Sequence, residues 1–432
     1  MKKLNLLIAF LFVLMTVYPQ TPDFSLVGFG SAATGGGNGA VVNVNNLADL
    51  KSALLRTDAI TINITGTIEG ENGGVLLEVK SNKTIMGVSN TAFLSMIQLY
   101  LKNAQNVIIR NIRFSMIGST LGSDADCISI ATTSSGECKD IWIDHCEFYN
   151  VTPVLPENAA SKDKYDGLID IKKTSHNITI SWNYFHDHWK CSLIGYTDDD
   201  DYDRKITYHH NYFKNIKSRV PSYRHGTGHI FNNYYEGLPN DPVVYPSCEG
   251  INTRMDACLK VEGNYFKNYN RTIYFAVGDS PTEGFAYGSG NIFENSPAQT
   301  ANTCNSFSPL YNYSIDKAED IPAIVTQWAG IGKLDPKTPT SAKASEFDHS
   351  DQFVCTQGSV SNQLNVSFYA YENCTATFSV HDIIGKKIIQ QNIKAFSGIN
   401  SCKLNLPGKI SGVYFCKLQI SGKVFSHKIM KR

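Results

Sequence analysis

Four carboxylates fall in two tight groups, Asp124 with Asp126 and Asp166 with Asp170, and three cationic side chains follow at Lys190, Arg219 and Arg224. In an extended strand, residues two or four apart share a face, so each pair makes one acidic edge. Were the two edges side by side, their oxygens would converge on a site for a hard cation such as Ca²⁺, completed by water and a substrate carboxylate. Like charges that close repel one another without a cation. Spacing alone leaves two alternatives open: solvated surface aspartates, and basic residues that merely neutralise them.

The elements that must position these groups repeat. Asn106-Val-Ile-Ile-Arg-Asn-Ile-Arg-Phe114, Asp140-Ile-Trp-Ile-Asp-His-Cys-Glu-Phe148 and Asn177-Ile-Thr-Ile-Ser-Trp-Asn-Tyr-Phe185 share one pattern, and four more copies end at Phe213, Tyr235, Phe266 and Phe293. The closing aromatics are 34, 37, 28, 22, 31 and 27 residues apart, a solenoid-like period with loops inserted between strands. Period-two alternation rich in Ile, Val, Thr and Tyr calls for strands, and the shortest spacing fits one coil of three short strands and turns. An all-β fold is expected, a right-handed parallel β-helix, with unrelated turns in a sandwich or propeller as the alternative. Asn183, Asn211, Asn233, Asn264 and Asn291 recur at one place in successive copies. There each is expected to turn the chain in a left-handed conformation and to hydrogen-bond its counterpart in the next coil.

The chain has 432 residues, enough for a large domain plus a small one, and 39 Lys and Arg against 39 Asp and Glu. With no net charge, no global field draws it to nucleic acid or an acidic membrane, so an anionic substrate must be held by local charges. Lys2, Lys3 and the apolar run Leu6 to Tyr18 have the form of a secretory signal peptide over residues 1–20. That run is too short to span a bilayer, and no membrane span is expected elsewhere. Residues 21–333 are expected to form the solenoid, with a capping segment from about 309 that is helical around Ala318 to Trp328. Residues 334–354 read as a linker and 355–432 as a separate β-rich domain. The 11 cysteines are an odd number, so at least one is unpaired or bonds another chain; two disulfides among Cys355, Cys374, Cys402 and Cys416 are one option.

The residues resemble those of polysaccharide lyase family one, the pectate and pectin lyases. The motifs are Asp124-Ala-Asp126, Trp142-Ile-Asp-His145, Asp166-Gly-Leu-Ile-Asp-Ile-Lys172, Lys190-Cys-Ser-Leu-Ile-Gly195, Thr207-Tyr-His-His-Asn211, Arg219-Val-Pro-Ser-Tyr-Arg224 and His229-Ile-Phe-Asn-Asn-Tyr234, in family order. The resemblance covers roughly residues 27 to 333. It implies Asp124, Asp126, Asp166 and Asp170 as calcium positions, Arg219 as catalytic base, and Lys190 and Arg224 as binders of galacturonate carboxylates. Asp166 stands where some members have Glu, which shortens that ligand arm. Pectin lyases lack the full acidic set present here. Asp144 with His145, and His209 with His210, have the types of an acid–base pair, but alternation and the resemblance make them structural.

The implied activity is calcium-dependent β-elimination of α-1,4-linked polygalacturonate by a monomer. The alternatives are a pectin lyase, a galacturonan hydrolase working through paired carboxylates, and a non-catalytic pectin-binding protein. Val380-His-Asp-Ile-Ile-Gly-Lys386, Ser411-Gly-Val-Tyr-Phe415 and Lys428-Ile-Met-Lys-Arg432 resemble the C-terminal sorting domain of the type IX secretion system. That implies export machinery as a partner and a secreted or surface-attached protein. A small carbohydrate-binding module is the competing reading of this last domain.

Overall fold

The computed structural model describes residues 22–122, 125–133, 136–151, 162–237 and 248–334, and then 353–357, 363–370, 374–383, 386–395, 398–405, 412–420 and 423–431. The expected signal peptide, Asp124 and nearly all of the linker lie outside these residues. The chain divides into two compact units, Met1–Pro339 and Thr340–Arg432.

Successive turns of the first unit each give strands to three parallel sheets of ten, eight and nine strands. Pairing follows the repeat: Ile143 lies between Ile109 and Ile180, and Phe185 between Phe148 and Phe213. Each inward side chain therefore stacks on its like in the next coil, and the β-branched residues fill a continuous core. The closing aromatics form one ladder, Phe114, Phe148, Phe185, Phe213, Tyr235, Phe266 and Phe293, buried as far as Phe266 and half-buried at Phe293, with centroids 4.3 to 5.5 Å apart. The expected parallel β-helix is thus present.

The asparagine ladder is present too, with one correction. Asn183 Nδ2 donates to Asn211 Oδ1 (3.1 Å), Asn211 Nδ2 to Asn233 Oδ1 (2.9 Å), Asn233 Nδ2 to Asn264 Oδ1 (3.0 Å) and Asn264 Nδ2 to Asn291 Oδ1 (3.0 Å). The left-handed residue, however, is the one before each asparagine: Trp182, His210, Asn232, Gly263 and Gly290, at φ of 54°, 53°, 51°, 63° and 72°. The corner residue turns the chain, and the asparagine behind it satisfies buried backbone groups in a bend that has no ladder of its own.

The ends of a solenoid would expose unpaired strands and core. Helix Leu47–Leu54, which the strand periodicity did not reveal, packs against the first coils and buries Leu50, Ala53 and Leu54. Its cap is Asn46, whose side chain accepts from Asp49 N at 2.9 Å. The helix anticipated near Ala318 is present, as a 3₁₀ turn, Ala318–Asp320, running into helix Ile321–Trp328, but it lies along the side of the solenoid on interior strands of the nine-stranded sheet and does not cap an end. Ile321 and Val325 pack on Tyr212 and Tyr234.

A disulfide joins Cys258 to Cys304, a pairing that spacing did not disclose because Cys258 sits inside a repeat. Cys374 is not disulfide-bonded, so two disulfides among the last four cysteines are excluded. Close to that crosslink, Glu262 Oε1 takes hydrogen bonds from His229 Nε2 (2.9 Å) and Tyr313 OH (2.8 Å), with Lys260 Nζ also at 2.9 Å. Burial opposes ionisation, but these partners outweigh it and pull the Glu262 carboxyl down to about 2. A depressed folded-state value means the stabilisation is complete above the usual glutamate value and fades as pH falls towards about 2. Glu262→Gln is therefore expected to flatten the acid limb of a melting-temperature profile in that window. An unchanged limb would show that the network carries no such linkage.

The second unit pairs a three-stranded antiparallel sheet (Phe353–Gln357, Gln363–Ala370, Gly398–Asn405) with a four-stranded one (Cys374–Asp382, Lys387–Ala395, Gly412–Ile420, Lys423–Lys431). Leu364, Val366 and Phe368 of one sheet meet Phe378, Val380 and Leu418 of the other in a single core. The alternation inward-outward along these strands is that of a small sandwich.

Candidate active site

The chemistry-bearing residues lie along the corner where the nine-stranded sheet turns into the eight-stranded one. Asp126 precedes strand Ile128–Ala131, Asp166 precedes strand Ile169–Ile171, which contains Asp170, and these strands are neighbours with Ser129 opposite Asp170. One carboxylate oxygen each from Asp126, Asp166 and Asp170 lies within 4.8 Å of the others. The two acidic groups thus stand in adjacent coils, although Asp166 reaches the cluster from the turn before its strand rather than along a shared face. Gly167 makes the approach possible, since a Cβ there would fall 2.3 Å from Asp170 Oδ1 and 2.8 Å from Asp126 Oδ1. Its amide donates to Asp126 Oδ1 at 2.9 Å.

Asp126 and Asp170 are 0 % and 1 % exposed. Burial, reinforced by the neighbouring Asp170 charge, holds the carboxyls of Asp126 and Asp166 above the usual aspartate range. Lys172 is the counter-charge, with Nζ 3.3 Å from Asp126 Oδ2 and 3.2 Å from Asp170 Oδ2. Despite that ion pair, Asp170 Oδ2 is a buried acceptor without an aligned hydrogen bond. Lys172 and, from the next coil, Lys190 set two ammoniums against three carboxylates, which leaves negative charge uncompensated. An orphaned anionic oxygen in a set of hard donors fits a divalent cation.

The cations sit on the next coils. Lys190 ends strand Tyr184–Lys190, opposite Ser218, and its Nζ is 2.5 Å from Asp163 Oδ1 and 3.3 Å from Asp166 Oδ1. Arg219 follows Ser218 at a corner with φ of 61°, a conformation shared by many corners of this solenoid. Its carbonyl accepts from Ser192 N at 2.8 Å. Its half-buried guanidinium has no hydrogen bond or ion pair among the described residues. Because Ser218 lies opposite Lys190, Arg219 and Lys190 stand on adjacent coils. Arg224 is 9 % exposed and partly engaged: Nε donates to Asp198 Oδ1 (2.7 Å) and Nη1 to Gly195 O (3.1 Å).

The structure therefore brings Asp126, Asp166, Asp170, Lys190, Arg219 and Arg224 to one flank. The pairs set aside as structural are elsewhere. Asp144, on the ten-stranded sheet, is fully buried between Arg110 Nε (2.6 Å), His145 Nδ1 (2.6 Å) and Ser181 Oγ (2.7 Å). His210 meets Asp316 and His209 meets Val27 O. Two residues of the flank escaped the sequence reading. Lys172 lies two residues from Asp170 on the same strand face, so alternation carried the signal. Arg254 pairs with Arg224 only across coils, a contact that no local spacing announces.

Together, fold and flank define a parallel β-helix with a cluster of acidic and basic side chains on the side of the solenoid. A family model described as "Pectate lyase" matches residues 6–334, and one described as "Secretion system C-terminal sorting domain" matches 360–432. The pectate trisaccharide-lyase of Bacillus licheniformis is 39 % identical over 324 residues, covering 73 % of this chain and 88 % of that protein. Pectate lyase A of Emericella nidulans is 34 % identical over 311 residues, 71 % of this chain and 86 % of its own. Among solved structures, a Bacillus sp. pectate lyase in complex with trigalacturonate superposes with a TM-score of 0.61 at 32 % identity, covering 72 % of this chain and all of that one. Pectate lyase II of Xanthomonas campestris gives 0.57 at 29 % identity, over 71 % and 98 % of the two chains. The chain belongs to the pectate lyase family. It is a lyase, and with its sorting domain it is a secreted or cell-surface protein. Among the described residues no helix is long and apolar enough to cross a membrane.

Proposed function

We propose that the protein cleaves α-1,4-linked polygalacturonate by β-elimination, as a calcium-dependent monomer, releasing 4,5-unsaturated oligogalacturonates. The supporting observation is the convergence of Asp126, Asp166 and Asp170 within 4.8 Å on the flank that also carries Lys190, Arg219 and Arg224. Asp126, Asp166 and Asp170 would hold the calcium ion. Asp124 joins that set on the sequence resemblance alone. When bound, the ion supplies Lewis-acid withdrawal of charge from the uronate carboxylate at which the transition state becomes enolate-like.

Lys190 presents an ammonium close to the same site, where it stabilises charge developing on that carboxylate. Arg219 is the proton acceptor at C5: the C5–H bond breaks, its electrons form the C4–C5 double bond, and the glycosidic oxygen leaves C4. A protonated guanidinium has no lone pair free to accept that proton, so the reactive form is the neutral guanidine. Arg224 orients the sugar chain through the donors left after its bonds to Asp198 and Gly195.

The test is incubation of the purified full chain with polygalacturonate, with and without chelator, following ultraviolet absorbance of the unsaturated product. Absorbance that rises, stops with chelator and returns with Ca²⁺ is expected. Saturated products would favour a hydrolase using the same carboxylates. Binding without cleavage would leave a pectin-binding protein.

A further inference from the structure

Tyr196 is the only aromatic among the large apolar side chains that stand exposed in the described residues, and it stands 58 % exposed. It is also at the groove. The preceding residue, Gly195, donates its amide to Ile171 O (2.9 Å) and accepts from Arg224 Nη1 (3.1 Å), so this backbone bridges the coil of Lys172 to the coil of Arg224. Lys172 Nζ, which contacts Asp126 and Asp170, lies 5.8 Å from the centroid of the Tyr196 ring.

The ring is held there by its backbone. Tyr196 N donates to Asp200 Oδ2 at 2.7 Å, and that carboxylate also takes Lys173 N (2.8 Å) and pairs with the fully buried Arg204 (2.7 Å). A buried arginine and two amides thus fix a loop whose one outward product is an exposed aromatic face. The Tyr196 hydroxyl has no hydrogen bond among the described residues, and the ring's contact with the Lys172 ammonium leaves more than half of the side chain exposed. The exposed ring face is therefore free to meet a ligand.

We infer that Tyr196 is a sugar-stacking platform of the groove, covering the C–H face of a uronate ring one position along from the ring bound at the acidic cluster. This rests on the polygalacturonate reading above. Pyranose rings have an apolar C–H face even when their substituents are charged, and a preset aromatic binds such a face at little entropic cost. Charge holds the carboxylates, and the tyrosine grips the ring between them, adding affinity that salt does not screen.

Three forms of the full chain decide the matter: wild type, Tyr196→Ala and Tyr196→Phe, assayed on polygalacturonate and on oligogalacturonides of increasing length. Tyr196→Ala is expected to raise KM roughly three- to ten-fold with kcat within about twofold, while Tyr196→Phe stays close to wild type because the hydroxyl bonds nothing. The KM penalty should appear only for oligomers long enough to reach the platform, and thermal unfolding should not shift, as it would for a packing residue. An active wild type with Tyr196→Ala unchanged at every length overturns the inference, as does an equal loss in Tyr196→Phe. If the wild type releases no unsaturated product, the function reading fails first. Affinity electrophoresis in polygalacturonate then settles Tyr196 separately, with equal retardation of wild type and Tyr196→Ala counting against it.

Discussion

Arg219→Lys is expected to lower kcat by at least about two decades, the lower end of what a positioned general base contributes, with little change in KM or in calcium affinity. Lysine keeps the positive charge but gives up the planar fork and places its nitrogen differently, so proton abstraction suffers more than attraction of the polyanion. No described residue pairs with the Arg219 guanidinium, so its loss breaks no internal ion pair and the fold should be indifferent. Steady-state kinetics, with substrate and calcium binding measured independently, reads both effects. If Arg219→Lys altered KM alone, Arg219 would be a substrate clamp and the proton acceptor would lie elsewhere on this flank.

Asp170→Asn is expected to weaken calcium binding by about 10²-fold or more, since even partners outside the ligand shell are worth 10- to 100-fold. Asp170 Oδ1 already accepts from Leu193 N at 3.0 Å, and asparagine preserves that bond. What changes is the buried Oδ2, which loses its charge beside Lys172. Activity and calcium affinity should fall together, and excess calcium should restore part of the rate. The metal-free variant should unfold no lower than the metal-free wild type, because the substitution relieves crowding that pushes the carboxyls of Asp126 and Asp166 up. Loss of function without loss of apo stability marks a group kept for binding rather than for folding. Calorimetric titration and a chelator series check this, and wild-type activity in chelator would dispose of the metal assignment. Asp144→Asn is the contrasting case. Its carboxylate is buried against Arg110, His145 and Ser181, so it should cost stability and leave calcium dependence alone.

The repeat was legible because a solenoid writes its tertiary contacts into its period: Phe148 and Phe185 are spatial neighbours for the same reason that they close successive copies of one pattern. The acids of the site were legible for a related reason, since Asp170 and Asp126 come just within or before strands that are adjacent coils. The left-handed corners were misplaced by one residue because asparagine is both a left-handed former and a ladder hydrogen-bonder. Composition does not say which of two neighbouring residues takes which role. Helix Leu47–Leu54 is two turns long and the strand pattern masked it.

By itself the sequence determined the architecture, the identity of the acidic and basic groups and the order in which they enter the flank, because period-two alternation and repeat spacing are local properties of the chain. Only the tertiary structure decided how those groups are shared out. Lys172 became the internal partner of Asp126 and Asp170 because the turn at Gly167 admits no side chain between them. Arg224 became partly committed to Asp198 because that carboxylate, 26 residues earlier, comes to lie against its guanidinium and Ser280. Tyr196 was left bare because Asp200 and Arg204 hold its backbone rather than its ring. Those outcomes depend on distances between coils and on which donors are already satisfied, and neither quantity is a property of residue type or spacing.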